Sequence, residues 1–372
     1  INELKKYTEE QFEILDNVSQ NERIIVNSPA GTGKTLLAIE MARRSFMNKE
    51  KTLFICFNNL LGKRIRNEME PLSEYITFFT FSQLLIEISK VDLTKIDTSK
   101  TSFWRDELKV LVYKHIDKSK YKRYFDHLII DEAQDITTSD NLLILSSLLK
   151  NDLTKSKLSI FGDYEWQSVY NFTNSQFDYF DPSEELIYPN KIKDEYCNDL
   201  SLLNLRVNCR NSVGISNQAQ IFGGMNPPYK KVLRPDDNTN PIIKKYKDLV
   251  NQYEQIFNIL NLLKKQNYKD EDIVILSLSS KKSAAMSGLI DYMNQINAKI
   301  KYQFSYENND FGKKGMIFST SIRSFKGLES PVVIITDIEQ DKMNEEETKS
   351  LLYTGITRCV EKLYLLIRDN NA

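Results

Sequence analysis

Ser28-Pro29-Ala30-Gly31-Thr32-Gly33-Lys34-Thr35 follows a short apolar run ending at Asn27 and opens an amphipathic stretch. A loop in that context turns its backbone N–H groups, and those of the helix N-terminus behind it, toward phosphate. The octet has the Walker A pattern in glycine-relaxed form, because Ser28 stands where the first glycine is usual. Ser28, Ala30, Gly31, Thr32 and Gly33 would form the cradle. Lys34 would supply a point charge for the β- and γ-phosphates, and Thr35 a hydroxyl for Mg2+. The bland alternative is a Gly-rich turn that happens to precede a helix. Gly33-Lys34-Thr35 at that junction argues against it. A second constellation, Asp131-Glu132, ends the apolar run Leu128-Ile129-Ile130. Asp131 suits a magnesium ligand, acting through water, and Glu132 suits a general base for an attacking water. Two acids after a strand also suit a bare helix N-terminus, but beside Lys34 they point to hydrolysis of ATP with Mg2+.

These residues need a scaffold that delivers them to one edge, and the patterning predicts one. Short apolar runs alternate with amphipathic stretches, which reads as α/β with parallel sheets. Strands are expected at residues 23–27, 52–57, 75–79, 127–131 and 157–161, with helices at 34–47, 59–69 and 139–150. In such a sheet the carboxyl edge is where ligands bind. A stretch rich in Asn, Asp, Ser and Pro runs from 171 to 199 and reads as a crossing between domains. A second set follows, with strands at 201–207, 242–246, 272–277, 316–320, 332–337 and 362–367 and helices at 249–266, 281–295 and 345–356. The expected organisation is a first domain over 1–180 with a small helical insertion at about 83–126, a linker at 181–200 and a second domain over 201–372.

Composition constrains the function class only loosely. The chain has 372 residues, 41% hydrophobic and 27% charged, with a formal net charge of -1. That is ordinary for a globular protein and does not announce a nucleic-acid binder, although a local basic groove can sit on a neutral chain. Four cysteines and two histidines lack metal-ligand spacing, which argues against a zinc site or a disulfide framework. Reduced thiols fit a cytoplasmic protein. No signal peptide and no membrane-length apolar run is evident, and no membrane partner is expected. Ile1, not Met, opens the chain, which leaves room for an upstream partner domain.

With these motifs in order, the sequence resembles superfamily 1 helicases of the UvrD/Rep type over nearly the whole chain. The nearest likeness is to the short helicase module beside NERD-type nuclease domains. The resemblance implies two RecA-like P-loop NTPase domains with the ATP site in the cleft between them. Tyr7-Thr8-Glu9-Glu10-Gln11 looks like the Q motif, with Gln11 on the adenine edge; Thr8 and Gln11 equally form a capping box. Phe54 to Asn59 looks like motif Ia, which puts Phe57 and Asn58 on nucleic acid. Thr80-Phe81-Ser82 looks like the motif that contacts the nucleic-acid backbone through Thr80 and Phe81. Phe161 to Tyr170 looks like motif III, with Gln167 as γ-phosphate sensor and Trp166 or Tyr170 stacking on a base. Its spacing from Asp163 to Gln167 is one residue longer than in UvrD.

Leu205 to Asn211 looks like motif IV, with Arg210 on the γ-phosphate; Cys209 stands where UvrD-like enzymes stack a Tyr on adenine. Residues 319–329 look like motif V. There Thr320 and Ser321 would touch nucleic acid, Gly327 the triphosphate and Glu329 the ribose. Residues 352–358 look like motif VI, with Arg358 as the second arginine on the γ-phosphate. The stretches from Ser82 to His127 and from Arg210 to Thr320 are short for the family, so its accessory domains are expected to be reduced or absent. The resemblance implies a DNA helicase or translocase on single-stranded DNA or a tailed duplex, moving 3′ to 5′. An ATP-gated regulatory module of a nuclease or defence complex, with a nuclease domain or partner, and an RNA-directed motor are the other readings.

Overall fold

A computed structural model describes residues 8–97, 102–167, 186–196, 199–235, 240–279, 284–307 and 310–369. The chain divides into two compact units, Ile1–Val207 and Asn208–Ala372. In unit 1 the elements run α1 (Glu9–Gln20), β1 (Arg23–Asn27), α2 (Lys34–Met47), β2 (Thr52–Cys56), α3 (Asn59–Met69), β3 (Ile76–Thr80) and α4 (Phe81–Ser89). A π-helical turn at Phe103–Glu107 leads into α5 (Leu108–His115). Then come β4 (His127–Asp131), α6 (Ser139–Leu148), the short α7 (Asp152–Lys155), β5 (Lys157–Gly162), α8 (Pro189–Tyr196) and β6 (Ser201–Leu203).

The first sheet has six strands in the order β3-β2-β4-β5-β1-β6, and its pairings are parallel. Strands buried on both faces read as continuous apolar runs, and β2 and β4 are buried along their whole length. Side chains alternate between faces with period two. Ile25, Leu53, Ile55, Leu128 and Ile130 face one core, with Leu84 and Ile88 of α4, Leu108 and Val112 of α5, and Leu142 and Leu145 of α6. Ile24, Val26, Phe54 and Ile129 face the other, with Leu37 and Met41 of α2 and Leu61 and Ile65 of α3. Each such aliphatic side chain contributes about 1.5–3 kcal/mol on burial, so the sheet is clamped between helix layers. The register sets Asn27 beside Gly162, and Cys56 beside both Thr80 and Asp131. The phosphate loop and the acidic pair therefore leave the same carboxyl edge.

Unit 2 takes up the chain within the two-residue β7 (Val207–Asn208), followed by α9 (Val213–Gly223), β8 (Lys231–Val232), β9 (Ile242–Tyr246), α10 (Leu249–Lys265) and β10 (Ile273–Ser277). It continues with α11 (Ala284–Gln295), β11 (Phe304–Ser305), β12 (Ile317–Ser321), α12 (Ile322–Phe325), β13 (Ser330–Glu339), α13 (Glu346–Ile356) and β14 (Cys359–Arg368). Its parallel sheet runs β11-β12-β10-β13-β14-β9. Asp248 and Ser212 cap α10 and α9 by accepting backbone N–H groups of Asn251 and Ile215. Both sheets are of the α/β kind expected of RecA-like P-loop NTPase domains.

One strand changes sheet. Residues 201–207 were expected to open the second set, but β6 ends at Leu203 and pairs with β1. Apolar periodicity identifies a strand and says nothing of its neighbour; β1 had an open edge, and Leu202 and Leu203 fill it. The stretch 83–126, expected to carry a small helical insertion, holds most of α4, the π turn and α5, whose buried residues share one core.

Candidate active site

The phosphate loop is shaped by two glycines in the left-handed region, Gly31 at φ 77° and Gly33 at φ 89°. An L side chain is strained there, so the loop can coil back on itself just before α2. Thr32 Oγ1 closes it by donating to the Pro29 carbonyl at 2.9 Å. Lys34 is buried, and its ammonium donates to the carbonyls of Ser28 at 2.5 Å and Pro29 at 2.9 Å. The lysine thus sits inside the curl that would surround a phosphate. Gln11 joins the loop from α1. Its Oε1 accepts Thr8 N–H at 2.8 Å and its Nε2 donates to the Thr32 carbonyl at 2.8 Å. The capping box expected at Thr8 and Gln11 is therefore present, and the same amide also braces the cradle.

Thr35 Oγ1 donates to Asp131 Oδ2 at 2.7 Å. Asp131 is fully buried, and its other oxygen, Oδ1, has no hydrogen-bond partner. An ionised carboxylate left that way is costly, so burial first, and the neighbouring Glu132 second, push its pKa up to about 7 against the pull of Thr35 and Lys34. An orphaned carboxylate oxygen beside a threonine hydroxyl is the donor set a hard divalent cation takes. Among the described residues no group of three or more His, Cys, Asp or Glu could hold a metal ion. A magnesium ion here would rest on Thr35, Asp131, water and the nucleotide's own phosphates, which is how Mg2+ is usually held in such sites.

Glu132 adopts a left-handed backbone, φ 54° and ψ 45°. For a residue with a Cβ this costs about 1–3 kcal/mol and persists where surroundings enforce it. Gln134 does part of the enforcing. Its Nε2 donates to Glu132 Oε2 at 2.7 Å, while its Oε1 accepts Asp163 N–H at 2.9 Å. Gly162 makes room for this, since a Cβ there would meet Tyr164 at 2.6 Å and Gln134 Oε1 at 3.1 Å. Asp163 in turn accepts Gln167 Nε2 at 2.9 Å and Trp166 N–H at 3.2 Å. Burial raises the Asp163 pKa, against the nearby Lys34. Gln134 and Asp163 belong to this chain of contacts although neither stood out in sequence; the only signal was their place within the two acidic motifs.

In unit 2, Arg210 Nε pairs with Glu329 Oε2 at 2.8 Å, and Arg210 Nη1 donates to the Thr357 carbonyl at 3.4 Å. Asn211 Nδ2 bonds the Thr357 and Cys359 carbonyls. Arg358 is 1% exposed, with Nε on the Thr354 carbonyl at 3.0 Å and Nη2 on Thr357 Oγ1 at 3.2 Å. Gly327 is left-handed at φ 84°. The fold thus gathers Arg210, Glu329 and the end of α13, residues far apart in sequence.

Two family models match the chain. Residues 2–176 match the res subunit of type III restriction enzymes, and residues 316–366 match the UvrD-like helicase C-terminal domain. These matches support a helicase. They imply ATP hydrolysis and nucleic-acid binding. No curated protein matches the chain.

The residues expected on nucleic acid carry local duties as well. Asn58 caps α3 by accepting the N–H groups of Leu60 at 2.8 Å and Leu61 at 3.3 Å. Thr80 caps α4 in a reciprocal box with Gln83. Phe81 is 6% exposed and belongs to the core cluster that also holds Leu108 and Val112 of α5. Phe57 and Trp166 are half-buried, Thr320 is half-buried at the end of β12, and Ser321 caps α12. Tyr170 lies outside the described residues. No helix among them is long and apolar enough to cross a membrane.

Proposed function

We propose that this chain is a DNA-directed motor of superfamily 1 that moves 3′ to 5′ along single-stranded DNA at the expense of Mg-ATP. The observation that carries the reading is the set at one sheet edge of buried Lys34, Asp131 and Glu132 with half-buried Thr35, the lysine ammonium lying against the Ser28 and Pro29 carbonyls and the threonine hydroxyl on Asp131. In this reading Lys34 neutralises the β- and γ-phosphates. Glu132, held by Gln134, takes the proton of the attacking water. Thr35 and Asp131 hold the magnesium ion, which would neutralise charge on the phosphates. Arg210 and Arg358 stabilise charge developing on the transferred phosphoryl group, Gln167 senses the γ-phosphate, and Glu329 takes the ribose. Gln11 reads the adenine edge. Grip on the strand is sequence-independent, by phosphate contacts and by stacking on Trp166 or Tyr170.

The test is phosphate release with and without single-stranded DNA at low salt, followed by displacement of a strand from 3′- and 5′-tailed duplexes. Stimulation by DNA and displacement only from the 3′-tailed substrate are expected. Absence of stimulation would sink the motor.

A second reading is favoured by the match over residues 2–176 to a restriction-enzyme subunit. In it ATP turnover gates a nuclease, in the same polypeptide or a partner, and the chain displaces no strand. Stimulated hydrolysis without displacement selects that reading. Stronger stimulation by RNA than by DNA would select an RNA-directed motor instead.

A further inference from the structure

The last residues of unit 1 are tied to the phosphate loop and to α1 by three hydrogen bonds that none of the motif assignments uses. Leu205 N–H donates to Ser28 Oγ at 2.6 Å. Arg206 N–H and Val207 N–H both donate to Glu10 Oε2, at 2.8 and 3.0 Å. Ser28 and Leu205 are buried. Glu10 is the neighbour of Gln11, whose side chain holds the Thr32 carbonyl at the other side of the same loop. Asn208 and Arg210 follow directly in the chain.

The arrangement also accounts for Ser28. At the first loop position a glycine would give the backbone freedom, but it would offer no acceptor to Leu205. The serine hydroxyl supplies one, while its own backbone N–H is taken by the Gly162 carbonyl at 2.9 Å. Glu10 is likewise more than a helix-start acid: one carboxylate oxygen takes two consecutive backbone N–H groups, a charge-assisted arrangement about twice as strong as its neutral counterpart.

We infer that Glu10 and Ser28 are positioning residues that latch the segment 205–207 to the nucleotide loop, so that the state of the loop is transmitted to the chain carrying Arg210. The inference rests on the ATP-site reading above. A phosphate entering the curl must displace the Lys34 ammonium from the Ser28 and Pro29 carbonyls, and Ser28 is the residue through which the loop holds Leu205. Lys34 and the latch thus pull on the same residue from its carbonyl and its hydroxyl.

The test is Glu10→Ala and Ser28→Gly in the full chain, with Glu10→Gln as the conservative variant that keeps an acceptor oxygen. Two readouts are needed. The first is the split between nucleotide affinity and turnover: binding of a non-hydrolysable ATP analogue with Mg2+ should change by less than about threefold, while kcat falls about ten- to hundredfold, the usual cost of misplacing a reacting group. Glu10→Gln should recover most of kcat. The second is amide hydrogen exchange over 205–207. Wild type should be protected, the analogue should change that protection, and Glu10→Ala should lose about tenfold or more. Unchanged kcat in both variants, or exchange at 205–207 that ignores both Glu10→Ala and nucleotide, would overturn the latch. If wild type bound no nucleotide at all, the ATP-site reading would fail by itself. Loss of protection in Glu10→Ala would then still mark a structural tie and would overturn only its link to the nucleotide. Should Glu10→Ala fold poorly, Ser28→Gly carries the same two readouts.

Discussion

Unit 1 and unit 2 hold their charged groups in opposite ways. In unit 1 the acids are buried, strained or orphaned: Asp131 leaves Oδ1 without a partner, and Glu132 sits in a left-handed backbone. In unit 2 the arginines are occupied by their own unit: Arg210 by Glu329 and the Thr357 carbonyl, Arg358 by Thr354 and Thr357. Unit 2 also has a left-handed acid, Asp337, at φ 62°. It is fully served, however, by Ser277 Oγ at 2.5 Å, Thr336 Oγ1 at 3.0 Å and Gln252 Nε2 at 3.2 Å. The difference teaches where the unspent interaction lies. A carboxylate oxygen buried without a partner is stabilised by whatever cation arrives, so unit 1 is built to gain from a ligand. The unit 2 arginines already have partners, so in the proposed reading their contribution is a difference between two bonded states.

The strongest way to break that contrast is to remove the unit 1 cation. Lys34→Ala should lower phosphate release by about 10²–10³-fold, as deletion of a preorganised charge donor does. A variant within tenfold of wild type would mean that the curl around Lys34 is merely a turn. Next comes the exchange in unit 2. Arg210→Ala should lower kcat about 10²-fold, and Arg210→Lys should recover little of it, because an ammonium lacks the planar fork that serves two acceptors at once. Glu329→Gln weakens the pair without removing the arginine; it should cost far less in kcat than Arg210→Ala. Equal losses would show that the ion pair itself, not the arginine, is what matters. A smaller effect is expected at Gln134→Ala, about tenfold in kcat with nucleotide affinity retained, since it removes only the bracket between Glu132 and Asp163.

The same contrast explains what could be read from sequence. The central strands were legible because burial on both faces demands uninterrupted apolar residues: 23–27 and 127–131 emerge with the expected limits. The loop was legible because Gly31 and Gly33 are required by backbone angles and Lys34 by charge. Neither the transfer of β6 to the first sheet nor the Gln134–Asp163 bridge has such a signature. Pairing partners and side-chain amide bonds arise from register between segments distant in sequence, and Leu202 would look the same on either sheet edge. The arginine environments were illegible for a related reason. Motif order says nothing of the carbonyls that hold an arginine, nor that Asn58 also caps α3 and Phe81 also lies in a core.

The smallest expected effect, and the one that separates two buried groups within unit 1, is in stability against pH. His127 is buried with its ring between Ser45 Oγ at 2.6 Å and Ser159 Oγ at 2.9 Å, and burial, then Lys157, hold its pKa well below 6.5. The folded state therefore refuses a proton that the unfolded chain accepts, so its contribution is full above about pH 6.5 and is lost as pH falls below it. Asp131 works the other way. Its folded pKa is raised to about 7 from 3.8, so its favourable contribution is full below the unfolded value and is lost as pH rises toward 7. Between about pH 4 and 6.5 the two slopes oppose, each limited to about 1.4 kcal/mol per pH unit. Urea midpoints at about pH 4.5, 5.5 and 6.5, inside that window, should change little in wild type. Asp131→Asn should leave the His127 slope uncovered, so that the variant loses stability on acidification. Saturating Mg2+ with nucleotide should do the same to wild type, because a cation on Asp131 displaces its proton. If Asp131→Asn were as flat as wild type, the orphaned carboxylate would not be carrying a proton in the free protein, and the claim that unit 1 waits for a cation would lose its main support.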